Sequence, residues 1–423
     1  MAKLSQPHLP ILDTAEPLDA IIYDVVIVGA GMSGSLLALT LLTQNPQLKV
    51  LLLDENAQRL ESTQEKEFEY HPSFDARCIA LNAGSVDILS GLSLWGDIKA
   101  HAQPIESIQV SDKGYFGGAE LTPELSGEAF GYVVELRRVG KVLSRTLAAF
   151  SSLTTLHQVK LTDLNQQPEL IQCVLDNGQT VSAKLCVGAD GCHSQVRKLA
   201  RISSSLSDYQ RSAIICNVRC NKVHKNIAYE RFTKSGPIAL LPLTDNRFSL
   251  VYCVEKQQAE QIADLSDSEF LAQLQKKFGY RAGLFEQTGK RDIYPLNLLK
   301  TTKPLSHRTV CIGNAAHSLH PVAGQGFNLG LRDLFVLATI IAASDDVGSF
   351  SMLNDYWQCR EKDHHSTIWM TDSLVRIFSN HYPMLSIPRN IGLKAMNLFP
   401  FLSTPIIEQS KGQFDLFNRE KLS

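Results

Sequence analysis

The sequence predicts an α/β protein with a parallel sheet wrapped by helices, an antiparallel sheet beside it and a helical C-terminal segment. Three observations lead there. The apolar run Tyr23-Asp-Val-Val-Ile-Val28 passes straight into a glycine-rich turn and an apolar helix, the pattern of a strand buried on both faces and followed by its crossover. From Ser212 to Val254 the pattern changes to short alternating strands, as in an antiparallel sheet with one face on a core. Ser373 to Ile407 holds no Asp or Glu, carries large apolar residues and is broken by Pro383, Pro388 and Pro400.

Composition narrows the class. A length of 423 residues suits two domains, and an apolar share of 44% with 20% charged residues is that of an ordinary globular chain. A net charge of −2 gives no reason to expect nucleic acid. The nine cysteines form no Cys-x-x-Cys pair and their number is odd, which suits reduced thiols in a cytoplasmic setting better than a disulfide framework. Met1 to Ala20 holds prolines and acids without an apolar core, so it reads as a flexible lead rather than a signal peptide. No run approaches the ~20 apolar residues that cross a bilayer.

Along the chain, the first strand leads into Gly29-Ala-Gly31-Met-Ser-Gly34, a helix, and then Lys49-Val-Leu-Leu-Leu-Asp54, a second strand ending in an acid. Each part has a physical task in holding a dinucleotide. Gly29 makes the tight turn, Gly31 admits a pyrophosphate, Gly34 lets helix and strand approach, and Asp54 accepts from a ribose hydroxyl. Glu55 to Ser73 is polar and charged, and reads as a surface loop. Arg77, in Asp75-Ala-Arg77, suits either a flavin neighbourhood or a surface ion pair, before the helical pattern Ala83 to Leu92. Gly114 to Gly131 reads as a hairpin or loop. Arg137, Arg138 and Lys141 begin an amphipathic helix and reach either phosphate or solvent.

A second strand-turn-helix pattern follows at Ala183 to Arg197. There Asp190-Gly191 suits a ribose or pyrophosphate contact, or a plain turn, and Ser194 suits a helix cap. The third is the longest: strand Arg308 to Gly313, then Asn314-Ala-Ala-His-Ser-Leu-His320-Pro321-Val-Ala-Gly324-Gln325-Gly326-Phe327-Asn328, then an apolar helix to Ala343. Glycines at 313, 324 and 326 let backbone approach a ligand, and the helix aims free N–H groups and its positive end at it. Such an end suits a flavin ring, which gains negative charge on reduction, and the stretch also reads as an ordinary strand-loop-helix turn. The acid-free C-terminal stretch suits a membrane surface, a partner protein or a cap on the core.

Taken together and in this order, the three motifs at 29–34, 188–191 and 313–330 resemble those of flavin-dependent aromatic hydroxylases of the p-hydroxybenzoate hydroxylase fold, more closely the ubiquinone-biosynthesis hydroxylases. The resemblance runs from about Tyr23 to Gly412, with the His-Pro-x-x-Gly-Gln-Gly-x-Asn core intact from His320 to Asn328. The family's usual Gly-Asp is Gly313-Asn314 here, which keeps a ribose acceptor without its charge. Arg231-Phe232 through Gly236-Pro237 to Pro242, with Arg389-Asn390-Ile-Gly392-Leu393, is most similar to members acting on 2-polyprenyl-6-methoxyphenol.

The resemblance implies a Rossmann-like FAD-binding domain (23–104, 135–200 and 296–360), a substrate domain (105–134 and 201–295), a lead (1–22) and a C-terminal helical segment (361–423). It implies FAD as cofactor, NADPH or NADH as transient reductant and O2 as co-substrate of an aromatic-ring monooxygenase working through a C4a-hydroperoxyflavin. The cofactor-binding residues would be Gly29, Gly31, Gly34, Asp54, Arg77, Arg137, Asp190, Gly191, Gly313, Asn314, Gly324, Gly326, Phe327 and Asn328. Arg77, Pro321, Gly324 and Gln325 would stand at the reacting ring. The substrate would be a lipid-soluble polyprenyl phenol, met in the cytoplasm or at the inner face of a membrane, with 373–407 touching that surface or a biosynthetic complex. A sister hydroxylase acting at another ring position, or a flavin-dependent reductase, would share these motifs.

Overall fold

A computed structural model describes residues 18–57, 59–63, 66–70, 77–114, 118–122, 129–379 and 412. Most of the N-terminal lead, Asp75, the part of the acid-free stretch from 380 to 407, and with it Arg389 to Leu393, lie outside the described residues.

Parallel pairing begins where the sequence is most uniformly apolar. Ile22–Val28 lies between Val50–Asp54 and Thr180–Gly188, parallel to both, and Leu153–His157 extends the sheet beyond Val50–Asp54. Thr180–Gly188 uses its length twice. Its first residues pair antiparallel with Ile171–Leu175 and its last pair parallel with Thr309–Cys311. Val25, Val26 and Ile27 are wholly buried because helices cover one face and strand and loop side chains cover the other. The helices Met32–Gln44 and Gln325–Ala342 share one apolar cluster on the first face.

The second sheet runs in the order His317–Ser318, Asp292–Thr301, Ser204–Cys220, Arg247–Glu255, Gly236–Leu243, Ile227–Thr233, Ser107–Asp112, Gly118–Leu121, with Phe285–Thr288 also on Ser204–Cys220. It is antiparallel except where Ile227–Thr233 meets Ser107–Asp112. One face is closed by the helix Asp267–Phe278, which starts in a capping box of Ser266 and Glu269. Strand alternation sends Ile214, Leu240, Leu250 and Tyr252 into that closed face, where each is at most 1% exposed.

Several boundaries differ from the sequence reading. Glu55 to Ser73, expected as a loop, contains a ribbon of Arg59–Thr63 and Lys66–Tyr70, since backbone pairing needs no apolar face. The antiparallel strands extend past Val254, the longest of the later ones being the ten-residue Asp292–Thr301. Gln103–Ile105 and Gly131–Glu135 join Cys78–Asn82 in a small third sheet. The helix Phe350–Ser379 runs unbroken through position 360. No helix among the described residues is long and apolar enough to cross a membrane.

Candidate active site

Four parallel strands end in register. Leu53 lies beside Val28, Val28 beside Gly188, and Gly188 beside Cys311. The residues that follow are Asp54, Gly29, Ala189-Asp190 and Ile312-Gly313, so all three glycine motifs open from one carboxyl edge. Ligands of open α/β sheets bind at such edges.

Contact between the motifs is made by backbone that tolerates no Cβ. Gly29 has φ +106°, and a Cβ there would stand 2.5 Å from the Ala189 carbonyl oxygen. A Cβ on Gly34 would collide with the Gly29 carbonyl, and one on Gly313, at φ +54°, with the Ser33 hydroxyl. Gly31 is the cap residue of Met32–Gln44, whose first N–H groups have no partner within the helix. Buried Arg197, to which the sequence reading gave no role, ties the second motif to the third by donating to the Ala315 and Cys192 carbonyls, each at 2.7 Å.

The two acids at the edge differ. Asp54 is 5% exposed; its Oδ2 accepts from the Ala30 N–H at 2.7 Å and its Oδ1 from the Asn56 N–H at 2.8 Å, so it holds the glycine turn. Asp190 uses Oδ2 to accept from Gln195 and Val196 and leaves Oδ1 buried without a partner among the described residues. Ser194 caps the short helix by accepting from Arg197 N at 2.9 Å. An unsatisfied buried acceptor beside a glycine cradle and a helix N-terminus fits a hydroxyl-bearing, phosphate-bearing cofactor such as FAD.

The third motif then bridges the two sheets: Thr309–Cys311 belongs to the first and His317–Ser318 to the second. Pro321 and Gly324 shape the loop, Gly324 in the left-handed region at φ +60° with its missing Cβ 3.2 Å from Ala80 Cβ. Buried Gln325 starts the helix, half-buried Gly326 and Phe327 follow it, and Asn314 is exposed. Asn328, expected as a cofactor contact, has its side chain fully used. Its oxygen accepts from Asn82 N and Ser85 Oγ, and its nitrogen donates to the Ala80 and Gly324 carbonyls. That completes the bonding capacity of an amide, so the side chain positions the loop and leaves any cofactor contact to backbone.

Behind the loop lies a buried ionic network missed in the sequence. Asp333 meets Arg360 at 2.8 Å and His364 at 2.8 Å, while Asp363 meets Arg332 at 2.7 Å and Arg360 at 2.6 Å. Burial would raise the Asp333 carboxyl, but His364 and Arg360 hold it well below the usual range. Burial pushes His317 down to about 4 against the pull of Asp333. The one signal in the sequence was spacing: Arg360, Asp363, His364 and Thr367 make a polar stripe at helical intervals.

Facing the loop is the other side of the antiparallel sheet. Ile215, Ala239, Leu241 and Val251 point this way and keep intermediate exposure, in contrast to the sealed opposite face. His320 joins loop to sheet, with Nε2 4.0 Å from Cys253 Sγ and its ring edge-on to Tyr209. Burial, with Arg211 nearby, lowers His320 to about 4. The Arg77 guanidinium lies 4.9 Å from the centre of the Tyr294 ring on the same face. Arg137 lies 3.8 Å from Glu135, which Arg247 also meets at 3.1 Å.

Comparison with known proteins agrees with this geometry. A family model described as an FAD binding domain matches residues 22–365. The chain is 31% identical to the ubiquinone hydroxylase UbiL of Rhodospirillum rubrum, over 98% of its own length and 97% of the relative's. It is 30% identical to the 3-demethoxyubiquinol 3-hydroxylase of Escherichia coli, over 88% of this chain and 94% of the other. The crystal structure of p-nitrophenol 4-monooxygenase PnpA from Pseudomonas putida DLL-E4 shares the fold, with a TM-score of 0.73 and 17% identity over 93% of this chain and 99% of that one. The glycine edge, the bridging loop and the extent of these matches agree, and the chain belongs to the FAD binding domain family, among the FAD-dependent hydroxylases of ubiquinone biosynthesis.

Proposed function

We propose that this monooxygenase hydroxylates the ring of a polyprenylated phenol of the 2-polyprenyl-6-methoxyphenol kind. The observation that carries the reading is the half-open apolar face of the antiparallel sheet, set opposite the Gly324 to Phe327 loop and beside His320. Bound FAD, reduced by NADPH or NADH, supplies the means of activating O2 for transfer of one oxygen atom to an electron-rich ring. The chain's own part is placement and shelter. The first N–H groups of Met32–Gln44 receive the pyrophosphate, with Gly29, Gly31 and Gly34 allowing close approach. Asp190 Oδ1 accepts from a cofactor hydroxyl, while Asp54 and Asn314 border the same edge. Backbone N–H groups of Gly326 and Phe327 would donate to the flavin ring, stabilising the negative charge it gains on reduction, and Asn328 fixes the loop that presents them. Pro321, Gly324, Gln325 and Arg77 would line the seat of the flavin ring, and Arg137 would reach toward the phosphates. The apolar sheet face excludes water from the reacting centre.

We assign 23–104, 135–200 and 296–360 to FAD binding and 105–134 and 201–295 to substrate binding, with Asp292–Thr301 as the strand shared across the border. A lipid substrate gives 373–407 its reading as a contact with a membrane surface or an assembly that delivers lipid. Liposome binding unchanged after deletion from Ser373 onward would remove that part.

The deciding experiment supplies FAD-loaded protein with NADPH, a short-prenyl 6-methoxyphenol and heavy-isotope O2. One labelled oxygen atom in the ring product is the expected result, and its position distinguishes the sister hydroxylases. Reductant consumed with substrate returned unlabelled speaks against this substrate. A product heavier by hydrogen alone would make the chain a reductase.

A further inference from the structure

Glu230 stands on Ile227–Thr233 with its side chain, by alternation, on the half-open face. Its cross-strand neighbours are Val110 and Ala239, and the row continues through Val251 and Ile215, all apolar. On its own strand it is flanked by Ala228 and Phe232, each part of an apolar cluster. A carboxyl in such a place needs a reason, because an unpaired polar group in apolar surroundings destabilises the fold. Its Oε1 is buried and has no hydrogen-bond partner among the described residues. Burial raises the carboxyl to about 8, yet the residue keeps intermediate exposure. Deep placement with residual accessibility is what a side chain lining an internal space shows.

Among the described residues the groups that face it are few. Cys253, on Arg247–Glu255, is held as a thiol by burial and feels Glu230 directly. Beyond it stand Arg211, which acts on both Cys253 and His320, and His320 itself at the loop. Asp112 shares the face at the end of Ser107–Asp112. Glu230 thus lies one residue removed from His320, on the wall opposite Gly324 to Phe327.

We propose that Glu230 binds the ring oxygens of the substrate: one carboxyl oxygen accepts from the phenol hydroxyl, and the other, carrying a proton, donates to an alkoxy oxygen on the adjacent ring carbon. This rests on the phenol-hydroxylase reading above and names its recognition element. A protonated carboxyl offers one donor and one acceptor side by side, matching a hydroxyl next to an alkoxy group. The apolar neighbours then serve the ring and the first part of the prenyl chain.

The test is equilibrium dialysis of the FAD-loaded full chain against 2-methoxy-6-prenylphenol, with flavin absorbance as a second readout of binding. Glu230→Leu should weaken binding about tenfold to a hundredfold, because it removes both hydrogen bonds and leaves the phenol's groups unmatched. Glu230→Gln keeps a donor and an acceptor and should stay within about threefold of wild type near neutral pH. Between about pH 7 and about pH 9, wild-type affinity should fall roughly tenfold as the carboxyl ionises, and the Gln variant should show no such fall. Equal affinity of wild type and the Leu variant, with FAD and melting temperature retained, would overturn the role of Glu230 and leave the phenol reading standing. A Gln variant as weak as the Leu variant would overturn the protonated form. Wild-type protein that retains FAD and binds no phenol would overturn the substrate reading, and the assignment with it.

Discussion

The two sheets build their sites by opposite means. At the carboxyl edge of the parallel sheet the recognition surface is backbone: Gly29 and Gly313 sit where a Cβ would strike the neighbouring motif, Gly34 where it would strike the turn of its own, and helix N-termini supply the donors. On the antiparallel sheet the surface is side chains, one from each of several strands, with Ile215, Ala239 and Val251 giving an apolar wall and Glu230 an acceptor that has no partner among the described residues. A backbone site tolerates almost no substitution and binds what many proteins bind. A side-chain site can change one strand position at a time, which is why the proposed choice of substrate falls on this sheet.

The sharpest way to break this contrast is at Gly29. Gly29→Val adds a branched Cβ at φ +106° against the Ala189 carbonyl, and the purified protein should be colourless. Yellow protein with normal FAD content would show that the motifs need not touch. Next comes the network behind the loop. Asp333→Asn takes away one of the two carboxylates that meet buried Arg360 and the one that meets His364, and urea unfolding should register a loss of up to about 3–5 kcal/mol. The two faces of the antiparallel sheet should then separate in one host. Leu250→Ala, on the sealed face, should cost about 2–5 kcal/mol, whereas Val251→Ala, on the open face, should cost under ~1.5 kcal/mol and instead alter substrate affinity. Equal losses would mean the open face is packed.

A last expected effect is on pH. His317 and His320 titrate at about 4 in the fold because burial disfavours their charged forms. Unfolded, each titrates near about 6.5, so the stability each provides is complete above that value and declines as pH falls toward the folded one. The slope in that window should be about 1.4 kcal/mol per pH unit for each histidine, and His320→Gln should flatten it.

This contrast also explains what could be read from the sequence. Gly29, Gly31, Gly34 and Asp54 announce themselves because a backbone site needs fixed local spacing between turn, helix and acid. Asn328 was legible as part of a motif but not in its task, since its partners Asn82, Ser85 and Ala80 come from a strand and helix far earlier in the chain. Glu230 looked like any acid in an alternating strand. Its meaning depends on Val110 and Ala239, which only the sheet register places beside it. The Asp333 and Asp363 network was hidden for the same reason, because each ion pair across the two helices joins residues whose pairing no local period reveals.

The strand order sets a timetable for biosynthesis. A nascent chain stopped before residue 309 already carries the first two glycine motifs and every longer strand of the antiparallel sheet. It lacks Thr309–Cys311, the last member of the carboxyl edge, and Gly313, which closes on Ser33. FAD therefore meets a finished seat only after the strands of the second sheet have left the ribosome, so loading of the flavin is a late step in the making of the chain.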